Sequence, residues 1–429
     1  MDHFVIEGGQ RLSGSITPAG NKNAALPLLA ATLLSDQPIR LHNIPLIGDV
    51  LTKIALLQRL GVRVERDGPN SWNLCAEAVD ACEPDVALAR KIRTSVLLAG
   101  PLLARRGYVS LPRPGGDMIG RRRLDTHFHA LEALGASIEV TPASFVLRAD
   151  QLQGADIFLD EMSVTGTEQA VLAAVLAEGS STICNAASEP HVQDLCHFLN
   201  HLGARISGIG TNTLQIEGVS RLGGGEYTIG PDFMEVASFI GLAAVTRSNL
   251  RIVGARPREH RMTRIAFGRL GVAWADDGDD IVVPAEQELC VRNDMHNAIP
   301  TIASSPWPGF NPDLISIALV MATQAEGTVL IHEKMFESRL FFVDRLIGMG
   351  ARIVLCDPHR AVVVGPSKLY GEPEGLPSPD IRAGMALLIA SLCARGRSVI
   401  YNIGQIDRGY ERIDERLRAL GAQIERVTG

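Results

Sequence analysis

The chain lacks long apolar runs and is poor in aromatic residues. No apolar stretch reaches the roughly 18 uninterrupted residues that a membrane-spanning helix needs, and Phe, Trp and Tyr make up 5% of the 429 residues. The first residues show no basic region followed by an apolar run, so no signal peptide is expected. The seven cysteines are scattered and odd in number, which indicates a reducing compartment rather than a disulfide framework. We therefore expect a soluble, cytoplasmic protein without a membrane partner.

Common catalytic and nucleotide-binding motifs are also absent. The sequence contains no G-x-x-x-x-G-K-[ST], no H-E-x-x-H, no G-x-S-x-G and no paired C-x-x-C. His127 and His129 have no third ligand nearby, so neither a metal nor another cofactor is expected. The formal net charge of −7 argues against a nucleic-acid partner. Hydrophobic residues at 46% and charged residues at 21% allow large cores, and the length suggests two or three domains.

A helix-end signature recurs six times along the chain. Each copy is an apolar residue, a glycine and a short β-prone run, as in Leu60-Gly61-Val62. The glycines, spaced by 74, 68, 68, 79 and 71 residues, are Gly61, Gly135, Gly203, Gly271, Gly350 and Gly421. Glycine readily takes the left-handed conformation that ends a helix. The pattern predicts an α/β fold of six βαβ-type units, grouped as two domains of three.

Other segments fit the same unit. Ala170–Glu178 and Ala383–Arg395 are small, apolar and helix-like, whereas Asp156–Leu159 and Ala361–Val364 are predicted strands. The glycine-rich stretch 222–226 is the best candidate for a linker near the middle of the chain.

Several charged residues lie beside glycines or at predicted helix starts. Asn21-Lys22-Asn23 precedes an apolar helix, which places an ammonium group and two amides where a helix favours an anion. The loop from Pro114 to Asp125 carries one central carboxylate, Asp117, between glycines that suggest a mobile lid, and then three arginines. The cations that together predict a pocket for a polyanionic small molecule are Lys22, Arg93, Arg122, Arg339, Arg382 and Arg408. The alternatives are a capping asparagine beside a surface lysine, a solvated basic turn, and structural ion pairs.

Stretches along nearly the whole chain, from Phe4 to Val427, match one known family. The specific stretches are Gly20-Asn21-Lys22-Asn23-Ala24-Ala25-Leu26-Pro27 and Ile406-Asp407-Arg408-Gly409-Tyr410-Glu411, and the weaker ones are Arg93-Thr94-Ser95, Gly100-Pro101-Leu102, Ala177-Glu178-Gly179 and Asn185-Ala186-Ala187. In order and spacing the chain resembles the enolpyruvyl transferase family, in its nucleotide-sugar branch. The resemblance implies two inside-out α/β domains of three units each. One comprises residues 22–230 with the lid loop 112–124, the other residues 1–21 plus 231–429, with the active site in the cleft between them.

The resemblance also implies a reaction. The enolpyruvyl group of phosphoenolpyruvate would move to the 3-hydroxyl of UDP-N-acetylglucosamine with release of phosphate, the first committed step of peptidoglycan synthesis. Such an addition and elimination needs a base, an acid and cations for phosphate and carboxylate. Asp313 matches the family's base, while Lys22, Arg122 and Arg408 match the cations around phosphoenolpyruvate. Arg339 and Arg382 support them. The residues implied to hold the nucleotide-sugar are Asn23, Arg93, Arg123, Leu124, Asp125, Thr126, Ser163, Val164 and Met335.

Asp117 occupies the lid position where most members of the family carry a cysteine implicated in proton transfer. A free aspartate has a pKa of about 3.9 against about 8.5 for cysteine, so burial must raise the pKa of Asp117 before it can hold a proton at pH 7. A carboxylate is also a poorer nucleophile than a thiolate. The sequence therefore predicts resistance to fosfomycin, which alkylates the family's cysteine.

Four departures from the family's pattern border the lid or the nucleotide-sugar. They are an added Arg113-Pro114, arginines at 121 and 123, the segment 163–167, and Asn311-Pro312 before Asp313. They keep open two alternatives: transfer to another nucleotide or nucleotide-sugar, and a non-catalytic paralogue that binds a UDP-sugar. Shikimate 3-phosphate as acceptor, or RNA-end cyclisation, fits the residues less well.

Overall fold

The computed structural model describes residues 2–116 and 122–429. They divide into two compact units. The N-unit contains residues 20–116 and 122–230, and the C-unit contains residues 2–19 and 231–429. No helix in the described ranges is long and apolar enough to span a lipid bilayer.

The N-unit is built from three small sheets and their helices. In order of hydrogen bonding, the strands are Gly225–Thr228, Ile39–His42, Trp72–Cys75 and Arg63–Arg66 in one sheet, Arg205–Ser207, Thr213–Glu217, Ser180–Cys184 and Asp156–Phe158 in the second, and Tyr108–Pro112, Ser144–Arg148 and Ser137–Val140 in the third. The helices are Lys22–Ala31, Gly48–Arg59, Val86–Ala89, Ala99–Arg106, Asp125–Ala133, Val164–Ala174 and Pro190–His201, with 3-10 turns at Thr32–Leu34 and Arg93–Leu98. Each four-stranded sheet pairs one edge strand in parallel and the others antiparallel.

The C-unit repeats this plan. Its sheets are Leu376–Pro377, Arg397–Tyr401, His3–Glu7 and Gln423–Val427; Ala275–Asp277, Asp280–Val283, Asn249–Ile252 and Ser13–Ile16; and Thr301–Ala303, Gly327–His332, Arg360–Gly365 and Ile353–Asp357. Its helices are Phe233–Val245, Arg261–Gly268, Ile315–Ala322, Val343–Gly348, Ile381–Cys393, Gly404–Asp407 and Ile413–Ala419, with 3-10 turns at Pro257–His260, Met295–Asn297 and Pro312–Leu314. The α/β fold of six repeated units, three in each unit, is confirmed.

Apolar helices form the centre of the C-unit. Phe233–Val245 and Ile315–Ala322 are buried along their whole length, and both pack against Ile381–Cys393. Phe233–Val245 and Ile315–Ala322 also contact each other, and Gly241 permits their close approach, because a Cβ there would lie 2.6 Å from Cγ2 of Ile317. Helices that are apolar on every side are expected inside a core rather than at its surface.

The six predicted helix ends are confirmed. Every signature glycine has a positive φ, between 75° and 104°. The amide that follows each glycine donates to the carbonyl five residues earlier at 2.9 to 3.2 Å, as Val62 does to Leu57. This is the Schellman arrangement, which satisfies carbonyls that a helix end would otherwise leave unpaired. The predicted helices and strands near 170, 383, 156 and 361 are confirmed as well.

The predicted linker at residues 222–226 is wrong. Gly225 and Glu226 belong to the strand Gly225–Thr228, which pairs in parallel with Ile39–His42. Gly224 lets the chain approach this neighbour, since a Cβ there would lie 2.3 Å from the carbonyl oxygen of Pro38. The division between the units falls after residue 230 instead.

Candidate active-site residues

Lys22 is the first residue of the helix Lys22–Ala31 in the N-unit. The side chain of Asn21 caps this helix and accepts hydrogen bonds from the amides of Asn23 and Ala24 at 2.9 and 3.3 Å. Lys22 is only 7% exposed, and its Nζ lies 2.8 Å from Oδ2 of Asp49, which is also buried. The capping asparagine is confirmed, but the alternative of a surface lysine is wrong. A buried ammonium group beside a helix N-terminus is held in place by its carboxylate partner.

Arg93 binds the backbone that follows the central lid residues. Its Nη2 donates to the carbonyls of Arg122 and Arg123 at 3.0 and 2.8 Å. Burial, together with the positive charge of Arg122, lowers the pKa of Arg93 from 12.5 to about 10. Gly116 approaches the same arginine, because a Cβ there would lie 2.8 Å from Cβ of Arg93. Positive charge is therefore concentrated at this point of the N-unit. Asp117 and Arg121 lie outside the described residues.

Residues 123–126 lead into the helix Asp125–Ala133. Nε of Arg123 lies 2.9 Å from Oδ2 of Asp125, with about half of each side chain exposed, and this hydrogen bond lowers the pKa of Asp125. An exposed pair of this kind contributes little to stability. Thr126 is buried and donates to Oδ1 of Asp160 at 2.6 Å.

A second helix begins beside Thr126. Oγ of Ser163 caps the helix Val164–Ala174 and accepts from the amide of Gly166 at 3.1 Å. A Cβ on Gly166 would lie 3.0 Å from Cγ2 of Thr126, so the two helices touch at this glycine. Leu124 packs against the core of the N-unit, while Ser163 and Val164 remain half-buried. A partly exposed helix N-terminus next to cations suits a phosphate group.

In the C-unit, Asp313 lies between two buried arginines. Arg339 contacts Oδ1 of Asp313 at 2.5 Å and Arg382 contacts Oδ2 at 3.0 Å. The arginines are 4% and 5% exposed, whereas 23% of the Asp313 side chain is exposed. Asn311 accepts a hydrogen bond from the amide of Asp313 at 2.8 Å and thereby fixes its backbone. The result is a carboxylate whose position is set by two cations and which still reaches solvent.

Sequence reasoning missed two residues that hold Arg382. Nη1 of Arg382 donates to Oη of Tyr410 at 3.3 Å, and Oη lies 3.0 Å from Oγ of Ser238. Burial alone would lower the pKa of Arg382, but Tyr410 and Asp313 raise it above its usual value. The guanidinium therefore stays charged. Tyr410 belongs to the motif 406–411, which could have identified it; nothing in the sequence indicates Ser238.

The segment that carries Met335 and Arg339 is ordered by another missed residue, Glu333. Its Oε1 accepts from Oγ of Ser304 at 3.0 Å and from the amides of Met335 and Phe336 at 2.8 and 3.2 Å. Glu333 is fully buried, and burial raises its pKa. The half-buried Met335 thus has a fixed backbone.

The motif around Arg408 mixes site and structural residues. Nη1 of Arg408 donates to Oε1 of Gln405 at 2.8 Å. Its neighbour Asp407 instead forms two hydrogen bonds with Arg426, at 2.7 and 2.8 Å. The alternative of a structural ion pair is therefore confirmed for Asp407. Asp380 has another local role, since it caps the helix Ile381–Cys393.

The described contacts bring three of the predicted residues together in each unit, whereas Lys22 and Arg408 contact Asp49 and Gln405 instead. In the N-unit Arg93 joins Arg122 and Arg123; in the C-unit Asp313 joins Arg339 and Arg382. Within the part of the chain that the structure describes, no cluster of three or more His, Cys, Asp or Glu side chains could hold a metal ion.

Comparison with known proteins gives consistent results. The family model of EPSP synthase (3-phosphoshikimate 1-carboxyvinyltransferase) matches residues 6–417. Curated UDP-N-acetylglucosamine 1-carboxyvinyltransferases are 57% identical in Treponema denticola, over 99% of both chains, and 56% in Bradyrhizobium diazoefficiens, over 99% of this chain and 98% of the relative. The crystal structure of the enolpyruvyl transferase NikO from Streptomyces tendae is similar with a TM-score of 0.89 and 25% identity, covering 100% of this chain and 99% of that one. An EPSP synthase from Acinetobacter baumannii shares the fold, with a TM-score of 0.76, 18% identity and 100% coverage of both chains.

Proposed function

We propose that the chain transfers enolpyruvyl from phosphoenolpyruvate to the 3-hydroxyl of UDP-N-acetylglucosamine. It is an enzyme of the enolpyruvyl transferase family and belongs to the UDP-N-acetylglucosamine 1-carboxyvinyltransferase branch of that family. Phosphate is the second product. The observation that carries the proposal is the carboxylate of Asp313, which is fixed by Arg339 and Arg382 and still partly exposed. A pure binding protein has no need for a base so positioned.

In the proposed reaction, Asp313 accepts the proton of the sugar's 3-hydroxyl while the oxygen of that hydroxyl bonds to C2 of phosphoenolpyruvate. Asp117 gives a proton to C3. The two steps together form an intermediate in which C2 is tetrahedral. The carboxylate of Asp117 then takes a proton back from C3 as phosphate leaves C2, which restores the double bond, and the proton that Asp313 accepted is released to solvent. General base catalysis of this kind contributes about 10²- to 10⁴-fold to a rate.

The cations divide the anionic groups of the two substrates among them. Lys22, Arg122 and Arg408 bind the phosphate and carboxylate of phosphoenolpyruvate, where fixed positive charge also stabilises the developing negative charge. The groups that hold the nucleotide-sugar are Asn23, Arg93, Arg123, Leu124, Asp125, Thr126, Ser163, Val164 and Met335. The capped helix at Ser163 and the guanidinium of Arg93 support this assignment, since both suit a diphosphate.

The deciding experiment is phosphate release from phosphoenolpyruvate by the purified protein, with and without UDP-N-acetylglucosamine. We expect release only with the acceptor, and loss of release in Asp313→Ala that melts at a temperature close to the wild type. Release with shikimate 3-phosphate, but not with the UDP-sugar, would contradict the proposal. Binding of phosphoenolpyruvate without release would direct the assay to a panel of other nucleotides and nucleotide-sugars.

Resistance to fosfomycin follows from an aspartate at position 117. Stoichiometric drug should leave the wild type active, because a carboxylate is a weak nucleophile. Asp117→Cys should gain time-dependent inactivation and a covalent adduct visible by mass spectrometry. Irreversible inactivation of the wild type would show that another residue is alkylated.

The reaction is proposed to take place in the cytoplasm. Its product would supply cell-wall synthesis, and through it cell shape and division.

A further inference from the structure

A buried lysine that the proposed reaction does not use lies beside Arg93. Lys53 is 0% exposed, in the helix Gly48–Arg59. Its Nζ donates to the carbonyl oxygen of Thr94 at 2.7 Å. Burial lowers the pKa of Lys53 from 10.5 to about 7, an effect that the negative charge of Glu168 opposes. Because a buried amine is costly and an apolar side chain would fill the space more cheaply, its presence in the core needs an explanation.

One face of this helix contacts both Lys22 and the residue next to Arg93. Asp49 and Lys53 are four residues apart and therefore lie one turn from each other on the same side. Asp49 pairs with Lys22 at 2.8 Å, and Lys53 reaches the residue next to Arg93. The helix thus contacts Lys22, a cation proposed for phosphoenolpyruvate, and the backbone next to Arg93, a cation proposed for the nucleotide-sugar.

The charge partner of Lys53 is on the helix that Ser163 caps. Glu168 is 1% exposed. Burial and the neighbouring Glu189 raise the pKa of Glu168 well above 4.5. Within the described ranges its Oε1 has no hydrogen-bond partner. A hydrogen bond of Lys53 therefore joins the helix Gly48–Arg59 to the turn Arg93–Leu98, and Glu168 acts on Lys53 through its charge from the helix Val164–Ala174.

We propose that Lys53 is a positioning residue for binding of the nucleotide-sugar, an inference that rests on the proposed function. Lys53 fixes the carbonyl of Thr94 and with it the backbone of Arg93. The guanidinium of Arg93 in turn holds the carbonyls of Arg122 and Arg123. Negative charge on Glu168 opposes the effect of burial on Lys53, whereas burial raises the pKa of Glu168 itself.

The first test compares Lys53→Met with Leu57→Ala, which removes a fully buried side chain one turn along the same helix. Lys53→Met should raise KM for UDP-N-acetylglucosamine about tenfold, the equivalent of about 1.4 kcal/mol, with kcat and KM for phosphoenolpyruvate within about twofold. Leu57→Ala should lower the melting temperature and leave every KM unchanged. Loss of stability with unchanged KM in Lys53→Met would overturn the proposal.

A double variant separates positioning from charge burial. Lys53→Met/Glu168→Gln also removes the buried ionisable group that interacts with Lys53, so the melting temperature should recover while KM for the nucleotide-sugar stays high. This variant also replaces Lys53→Met if the single variant does not fold. Recovery of KM in the double variant would show that Lys53 serves stability alone, and would overturn the proposal.

Hydrogen exchange makes the inference independent of the acceptor. In the free protein, Lys53→Met should speed exchange at residues 93–98 and 122–124, and Leu57→Ala should not. If the wild type does not release phosphate with UDP-N-acetylglucosamine, the proposed function fails while this comparison still decides whether Lys53 positions the segment. Unchanged exchange at 122–124 in Lys53→Met would overturn the role of Lys53 even in an active enzyme.

Discussion

The two units hold their charged site residues by different means. In the C-unit, Asp313 is bound through its side chain to Arg339 and Arg382, which are almost completely buried. In the N-unit, Arg93 binds carbonyl oxygens, and burial with the charge of Arg122 lowers its pKa to about 10. One group is a carboxylate already compensated by cations, and the other is a group of cations close to each other.

This difference is suited to different tasks. A carboxylate held by two arginines has little freedom to move, which favours a fixed geometry for proton transfer. Cations held close together repel one another, and an incoming anion relieves that repulsion, so much of the binding energy is gained when substrate arrives. We therefore predict that substitutions in the Asp313 group change turnover most, and that substitutions in the Arg93 group change binding of the nucleotide-sugar most.

The largest expected effect is that of Asp313→Asn. An amide cannot accept the hydroxyl proton, so kcat should fall by about 10²- to 10⁴-fold while both KM values change little. Phosphate release under saturating substrates measures this. The matched control is Asp407→Asn in the same unit, whose carboxylate also pairs with an arginine, Arg426, and which should keep turnover within a few-fold. A similar loss in both variants would mean that ion pairing rather than base catalysis explains the effect.

Replacing one arginine in each unit tests the division of tasks directly. Arg382→Lys loses the planar fork that reaches both Asp313 and Tyr410, so kcat should fall by about 10- to 100-fold. Arg93→Lys loses its two carbonyl contacts, so KM for UDP-N-acetylglucosamine should rise by a similar factor. Steady-state kinetics with each substrate varied in turn distinguish the two. If both variants change the same parameter, the comparison between the units is wrong.

A smaller effect concerns one buried histidine in each unit. Burial is the main cause that lowers the pKa of His127 and of His260 from 6.5 to about 3. Between these values the unfolded chain binds more protons than the folded one, so the unfolding free energy decreases as the pH falls below about 6.5 and is unaffected above it. At pH 5 each histidine should cost about 2 kcal/mol.

Denaturant unfolding at pH 7 and pH 5 measures this cost. His260→Phe keeps the stacking on Phe233, whose ring centroid lies 4.7 Å away, and should reduce the loss of stability between the two pH values. His127→Gln should reduce it similarly, although it also loses the 2.8 Å hydrogen bond with Thr165. An unchanged pH dependence in both variants would contradict the assignment.

The smallest effect is expected at the repeated helix ends. Around Gly203 no described atom lies within 4 Å of an added Cβ, so Gly203→Ala should cost only the left-handed strain, about 1 kcal/mol. At Gly271 an added Cβ would lie 2.6 Å from the amide nitrogen of Cys290, so Gly271→Ala should cost more. Thermal unfolding of the two variants measures the difference. Equal costs would show that the backbone at Gly271 moves freely to make room.

Features that depend on neighbours along the chain were the easiest to predict. The six helix ends follow from a glycine and the five or six residues before it, and all six have the predicted conformation. The linker prediction at 222–226 failed for the opposite reason. Gly225 is a strand residue only because Ile39 lies beside it, and that pairing depends on how distant segments pack.

The site shows the same limit. The resemblance to a family supplied Asp313 and its cations, but it did not reveal that Asp49 holds Lys22 or that Glu333 orders the segment of Met335. Lys53 could have been noticed, because it shares the apolar face of its helix with Ile54 and Leu57. A lysine at a core position needs a polar partner, although the sequence does not say which.

The sequence by itself determined the family of the protein, the α/β units, the helix ends and the kinds of chemical group available for catalysis, because these depend on residue types and short spacings. Only the tertiary structure decided which charges meet. Arg382 lies beside Asp313 and Lys53 beside Thr94, and Asp407 pairs with Arg426 rather than with its neighbour. Burial and partner choice arise from contacts between segments far apart in the chain, and they determine the electrostatics of each group.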